Sequence, residues 1–474
     1  MSDSAPAIQI NPEPVPMPVT LVDSRPSGAL PVYLVAKGSL DAAGLPPLAH
    51  AWAKANSFTG ESGRVLLLPS ADGAVTGALL GLGTETGGHA PLATGLLSRT
   101  LPEGDWYFAT ETADPEHASL GLLLGGYVFT AYGKKASRDI RFAVPRGTDR
   151  AWAERTAEGV FLARDLINTP TNDMGPPQLE EAGRALAARH GAEISVIAGD
   201  DLLARNFPMI HAVGRASPDA PRLIDIVWGA TDAPKVTLVG KGVCFDTGGL
   251  DIKPASSMLT MKKDMGGAAN VLGLAHMLMG AKLPIRLRVL LPVVENAISG
   301  NAFRPSDILK SRKGLTVEIG NTDAEGRLIL ADALAYGDEE SPDLMIDMAT
   351  LTGAARVALG PDLPPFFTDD EQLAADLAVA SATAADPLWR LPLWMPYDTK
   401  FGSKVADINN VNTDGFAGSV IAALFLKRFV EKTKVWAHFD IFGWNPADRP
   451  HGVTGGEAQA IRAIERLISA RYPA

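Results

Sequence analysis

With one cysteine, Cys244, among its 474 residues, the chain cannot close an internal disulfide. It must be stable without covalent staples, which fits a reducing, cytoplasmic setting. The opening Met1-Ser2-Asp3-Ser4-Ala5-Pro6 carries neither the basic nor the apolar stretch of a signal peptide. No apolar run approaches the roughly 20 residues that a membrane-spanning helix needs. Positive charge is also short. Lys plus Arg number 43 against 54 Asp plus Glu, a net charge of −11 that argues against general binding to nucleic acid or anionic membranes. Several catalytic signatures are missing as well. There is no His-Glu-x-x-His, the eight histidines are scattered, and neither a Gly-x-Ser-x-Gly elbow nor a phosphate-binding Gly-x-x-x-x-Gly-Lys-Ser/Thr occurs. If metal chemistry takes place here, carboxylates must supply it.

What is present is apolar content of 46% and a length too great for one ordinary core. Both point to a globular protein of two domains. Residues 1–16 are Pro-rich and polar and read as a loose arm. Val65–Leu68, Trp106–Ala109 and Ile140–Val144 read as strands of a small α/β domain ending near residue 147. Asp149–Ile167 has helical periodicity and stops at Asn168-Thr169-Pro170-Thr171-Asn172, which gives a connecting helix over 148–170. From 171 to 474 strand and helix patterns alternate again. Val236–Val239, Arg286–Val294, Leu344–Met348 and Val435–Ile441 are the strand candidates. Gly267–Met279, Ser419–Glu431 and Gln459–Ala470 are the helix candidates. The expectation is a larger α/β domain whose central mixed sheet is covered by helices, with ligands at strand ends.

Three segments carry chemistry. The first is Asn321-Thr322-Asp323-Ala324-Glu325-Gly326-Arg327-Leu328. Thr322-x-x-Glu325 is also a helix capping box. Gly326 is a poor helix former, however, and Arg327 is disfavoured at the positive end of a helix dipole. Residues i and i+2 share a face only in extended chain, so Asp323 and Glu325 converge if the helix begins near Arg327. Thr322 is expected to cap that helix. The second segment runs from Val239 through Lys241 and Asp246 to Lys253. It reads as a glycine-dense loop after a strand, where glycine permits close backbone approach to a ligand. Cys244 within it has no histidine nearby in sequence and reads as a small buried residue. The third is Met261-Lys262-Lys263-Asp264-Met265-Gly266-Gly267, in which Asp264 could simply cap the helix that follows.

Taken together, in this order and at these separations, the three segments resemble the active site of the leucyl (cytosol) aminopeptidase family. The likeness extends over roughly the last three hundred residues. It implies a two-metal exopeptidase that releases N-terminal, leucine-like residues from peptides. Under it, Asp246 and Glu325 bridge two divalent ions, Mn²⁺ or Zn²⁺. Asp323 completes one site, and Lys241 and Asp264 complete the other. Lys253 polarises the substrate carbonyl, and Arg327 holds a bicarbonate that acts as general base. Met261, Asn321, Thr350, Leu351 and Gly353 fall at substrate-binding positions. The resemblance also implies a macrodomain-like N-terminal domain and a homohexamer. The competing readings are a two-metal phosphoesterase, for which no phosphate-binding loop is found, and a non-catalytic hexameric scaffold or nucleic-acid regulator.

Overall fold

In the computed structural model the described residues are Met17, 19–132, 138–412 and 414–473. The arm expected over 1–16 lies outside them. The chain divides into two compact units. One comprises Val15–Phe161 with Asn445–Thr454, and the other comprises Leu162–Trp444 with Gly455–Ala474.

The smaller unit is built on a six-stranded sheet. Its strands are β1 (Val19–Val22), β2 (Leu30–Ala36), β3 (Val65–Pro69), β4 (Val75–Gly83), β5 (Gly104–Phe108) and β6 (Ile140–Ala143). Their order is β1-β6-β5-β2-β4-β3. Only the β3–β4 pair is antiparallel. Leu68 and Leu79 pack with Ala49 and Ala53 of the helix Pro47–Ala55. The segment Asn445–Thr454 is far away in sequence yet belongs to this unit, where Arg99 donates to the Pro450 carbonyl. That long-range attachment has no local signal in the sequence.

The larger unit holds a nine-stranded mixed sheet. Its strands are β7 (Glu193–Ala198), β8 (Arg222–Trp228), β9 (Lys235–Gly240), β10 (Gly242–Asp246) and β11 (Arg286–Asn296), followed by β14 (Leu344–Ala349), β15 (Pro365–Phe367), β16 (Trp389–Arg390) and β18 (Trp436–Asp440). A separate small sheet joins β12 (Ile308–Lys310), β13 (Thr316–Glu318) and β17 (Ile408–Asn409). The main order is β16-β15-β18-β14-β9-β11-β8-β7, with β10 pairing β11. The inner strands β18, β14, β9, β11 and β10 all run parallel, so their carboxyl ends lie on one edge of the sheet. Gly242–Asp246, read from sequence as loop, is itself a strand. It escapes recognition because its buried face offers no alternation.

The helix Gly266–Gly280 is largely apolar and buried along nearly its full length. It lies directly on the sheet. A Cβ at Gly267 would fall 2.2 Å from the Met348 carbonyl oxygen, so only glycine allows this approach. The helix Glu325–Asp338 joins the apolar cluster around Leu328, Ile329, Met345 and Phe425.

Beneath the strand ends sits a buried polar trio. The His438 Nδ1 of β18 and Asp347 Oδ1 of β14 lie 2.6 Å apart, and Trp436 Nε1 donates to Asp347 Oδ2 at 2.8 Å. Burial opposes a charge on His438, but Asp347 outweighs it and holds the imidazole above its usual value. A group raised in the folded state stabilises fully below its unfolded pKa, about 6.5, and that contribution is lost as pH rises through the folded value. The unfolding free-energy difference between wild type and His438→Gln should therefore shrink as pH rises from 6 to 9. Urea titrations across that range check this, and a constant difference would refute a charged His438.

Candidate active site

Five parallel strand ends deliver polar and charged groups. Lys241 follows β9, Asp246 ends β10, Asn296 ends β11, Thr350 follows β14 and Asp440 ends β18. Lys253 lies on the loop after β10. Asp264 lies in the short turn Met261–Met265, ahead of the small-residue helix. Glu325 is the first residue of the helix Glu325–Asp338, and Asp323 lies in the turn before it.

The side chains meet closely. Lys241 Nζ lies 2.8 Å from Asp264 Oδ2, 3.0 Å from Glu325 Oε1 and 3.1 Å from the Thr350 carbonyl. Lys253 Nζ is 2.7 Å from Asp246 Oδ2 and also contacts Asp323 Oδ1. Oxygens of Asp246, Asp323 and Glu325 all lie within 4.8 Å of one another. Four carboxylates thus face two ammonium groups in a largely buried space.

The electrostatics follow from that imbalance. Burial, reinforced by Glu325 and Asp264, pushes Asp246 well above the ordinary carboxylate range. Burial likewise raises Asp264 against the pull of Lys241, and raises Asp323 against the pull of Lys253. Glu325 goes the other way, because Lys241 and Lys253 overcome its burial. Burial would lower Lys241 and Lys253, yet the surrounding carboxylates hold both above the usual lysine value. Asp264 Oδ2 and Asp323 Oδ1 touch ammonium groups as ion contacts, but neither receives a directed hydrogen bond. Oxygen-rich, under-compensated and buried, this set fits divalent cations, and Lys241 offers a nitrogen lone pair once deprotonated.

Other residues hold the carboxylates in place. Asn296 Nδ2 donates to Asp246 Oδ1 at 2.9 Å and to the Thr322 carbonyl at 3.2 Å. Thr322 does not cap the helix, as its sequence position led us to expect. The N-cap is Ala324, with no side-chain cap bond. The Thr322 hydroxyl instead donates to the Gly248 carbonyl at 2.6 Å and accepts from the Asp251 amide at 2.8 Å. The helix also starts at Glu325 rather than near Arg327, so Glu325 occupies the positive first turn, where a carboxylate is favoured. Asp264 is no cap either, since its Oδ1 accepts from the Thr350 hydroxyl at 2.8 Å. Cys244 is buried, and burial pushes its thiol up, which suits the small-residue reading.

Arg327 is buried. It donates to the Asn410 carbonyl at 2.7 Å, leaves Nε without a partner, and forms no ion pair among the described residues. Burial pulls it down to about 10, although Glu325 and Asp440 oppose the shift. Asn410 also braces Asn321, whose Oδ1 accepts from the Asp323 amide at 2.7 Å. The Leu351 amide donates to Asp440, Gly353 opens an exposed helix, and Met261 shares the turn of Asp264. Asn296, Asn410, Asp251 and Asp440 were not singled out in the sequence. Only Asn296, a lone amide closing a long apolar strand, carried any signal.

Comparison with known proteins bears directly on this geometry. Residues 161–464 match the model of the cytosol aminopeptidase family, catalytic domain, and residues 30–145 match the M17 aminopeptidase N-terminal domain. The chain belongs to the cytosol aminopeptidase family. A probable cytosol aminopeptidase of Rhizobium meliloti is 38% identical over 94% of this chain and 97% of its own length. The crystal structure of the cytosol aminopeptidase from Coxiella burnetii superposes with a TM-score of 0.90 at 44% identity, covering 95% of this chain and 99% of that one. The bottromycin maturation enzyme BotP, in complex with Mn, gives a TM-score of 0.85 at 32% identity, over 94% of this chain and 100% of its own. The protein is thus a peptidase hydrolase with the two-domain architecture of its family.

Gly326 tests the packing of the site. A Cβ there would lie 2.5 Å from Lys241 Cε and 2.6 Å from its Nζ, inside the contacts with Asp264 and Glu325. Gly→Ala within a helix ordinarily stabilises by about 1 kcal/mol. Gly326→Ala should instead lower divalent-metal affinity by about tenfold or more, the scale of displacing a ligand's support. Calorimetric metal titration reads this, and unchanged affinity would show that Lys241 stands clear of the metal.

Proposed function

We propose that this member of the family is a two-metal aminopeptidase acting on short peptides with apolar, leucine-like N-termini. The observation that carries the reading is the cluster of Asp246, Asp323 and Glu325, with oxygens within 4.8 Å of one another, flanked by Lys241 and Lys253. Asp246 and Glu325 would bridge the two ions, Asp323 would complete one site, and Lys241 with Asp264 would complete the other. When bound, such a pair polarises a water and the scissile carbonyl, and a bicarbonate supplies the proton acceptor. The manganese of BotP and the oxygen-rich donor set favour Mn²⁺, with Zn²⁺ the other candidate.

The chain's own residues do the rest. Lys253 is short enough of free carboxylate partners, once cations share Asp246 and Asp323, to turn its ammonium toward a substrate carbonyl and the negative charge that develops there. Arg327 is a buried guanidinium without a carboxylate partner, suited to hold a small oxyanion such as bicarbonate. Thr350 fixes Asp264 and exposes its backbone carbonyl to Lys241. Met261, Asn321, Leu351 and Gly353 line the approach for the N-terminal residue. Met261 is flexible and apolar enough to fit more than one side chain. We extend the proposal to a cytoplasmic homohexamer. The large apolar side chains Leu259 and Phe416, 82% and 73% exposed, are surfaces that assembly can cover.

Chelation should abolish release of leucine from leucyl amides, and added Mn²⁺ should restore it. The Asp323→Ala, Glu325→Ala double variant should fall more than about a thousandfold in kcat/KM and should retain less metal in elemental analysis. Cleavage by the double variant at the wild-type rate would refute the two-metal reading. Hydrolysis of phosphoesters in place of aminoacyl amides would favour the phosphoesterase.

A further inference from the structure

Among the described residues, seven lysine and arginine side chains are buried: Arg164, Arg222, Lys241, Lys263, Arg288, Arg327 and Arg462. Five are matched to a carboxylate. Arg164 pairs with Glu457, Arg222 with Glu180, Lys241 with Asp264 and Glu325, Arg288 with Asp225, and Arg462 with Asp386. Arg327 is accounted for by the oxyanion role above. Lys263 is left. It is 6% exposed, and its ammonium makes no hydrogen bond or ion pair among the described residues.

Its surroundings narrow what it is for. The two carboxylates nearest in influence are already engaged. Asp264 meets Lys241 and the Thr350 hydroxyl, and Asp440 accepts from the Leu351 and Thr352 amides and the Thr352 and Ser419 hydroxyls. What Lys263 touches is an aromatic face, with Nζ 4.8 Å from the centre of the Phe442 ring. The same ring receives Arg356, which is exposed to solvent, at 5.2 Å. A ring does not balance a buried ammonium, since its attraction for a cation is weak beside that of a carboxylate. Both groups adjoin the residues assigned to the N-terminal side chain. Met261 lies on the turn of Lys263. Gly443, next to Phe442, is so near Thr350 that a Cβ there would stand 3.2 Å from the threonine methyl.

We infer that Lys263, seated on Phe442 beside Thr350, reads a carboxylate on the substrate's N-terminal side chain, so that the enzyme accepts peptides beginning with glutamate as well as leucine-like ones. This rests on the aminopeptidase reading of the site. Met261 contacts the aliphatic part of either side chain, and the Lys263 ammonium pairs with the acid at its end. Arg356, over the same ring, adds to the positive potential.

The test is kcat/KM for glutamyl, glutaminyl and leucyl amides. Glutamine matches glutamate in shape without the charge, and an amide carries no C-terminal carboxylate. Wild type should favour glutamyl over glutaminyl by about tenfold or more, the scale of one buried charge-assisted hydrogen bond. That ratio should persist in Lys263→Arg and collapse toward one in Lys263→Met. Cleavage of the leucyl amide with a glutamyl-to-glutaminyl ratio near one in wild type would overturn the inference and leave the aminopeptidase standing. Failure on all three amides would remove the aminopeptidase reading itself. If Lys263→Met does not fold, the wild-type ratio alone decides. A ratio unchanged by folded Lys263→Met would overturn the role of Lys263.

Discussion

The larger unit is organised around one electrostatic constraint: four carboxylates brought into a buried space with only two ammonium groups to face them. Like charges confined together in low dielectric either take up protons or attract cations. The raised pKa directions of Asp246, Asp264 and Asp323 record that pressure. A divalent cation relieves it more completely than a proton does, because it brings two charges and accepts several oxygens at once. The parallel order β18, β14, β9, β11, β10 makes such crowding possible. It places carboxyl-terminal loops from distant parts of the sequence side by side, and no antiparallel meander would do so.

Holding mutually repelling groups together requires braces, and these come from neutral hydrogen-bonding residues rather than from further charge. Asn296 ties Asp246 to the carbonyl of Thr322. Thr322 ties its loop to Gly248 and Asp251. Asn410 joins the backbone of Asn321 to the guanidinium of Arg327. Amides and hydroxyls suit this work because they donate to a carboxylate without cancelling the charge that a cation must find there. Gly326 belongs to the same scheme, giving up helix propensity so that the Lys241 chain can pass.

Much of this was legible before the structure. Long apolar strands such as Arg286–Asn296 and Leu344–Ala349 declare themselves, and so does the small-residue helix at Gly266–Gly280. The side chains of Lys241, Asp246, Asp264, Asp323 and Glu325 come together because each segment is a strand end or a turn that the sheet gathers to one edge. What the sequence concealed was non-local. Gly242–Asp246 looked like loop because its pairing with β11 is set by tertiary contact. Thr322 looked like a cap because a capping box is defined by spacing alone, whereas its hydroxyl is drawn off by Gly248 and Asp251, 74 and 71 residues upstream. Asn410 is one asparagine among several, and only the fold shows which backbone it reaches.

Charge pairing in the interior gives the site its sharpest outline. The chain carries 54 acidic residues against 43 basic ones, so partners for buried cations are not scarce. Where a cation serves the fold, a partner is supplied, as at Arg164–Glu457, Arg288–Asp225 and Arg462–Asp386. Leaving a buried cation unmatched costs several kcal/mol, more than the roughly 2 kcal/mol an aromatic face returns. Arg327 and Lys263 bear that cost next to cluster residues in the chain: one in the helix that begins at Glu325, the other adjacent to Asp264. Two such exceptions, both beside the same carboxylate cluster, are the positions at which the proposed function brings the balancing charge from outside the protein. An oxyanion at Arg327 and an acidic side chain at Lys263 have different sources and different consequences. Under the proposed function the first would belong to every turnover, and the second would sort one substrate from another.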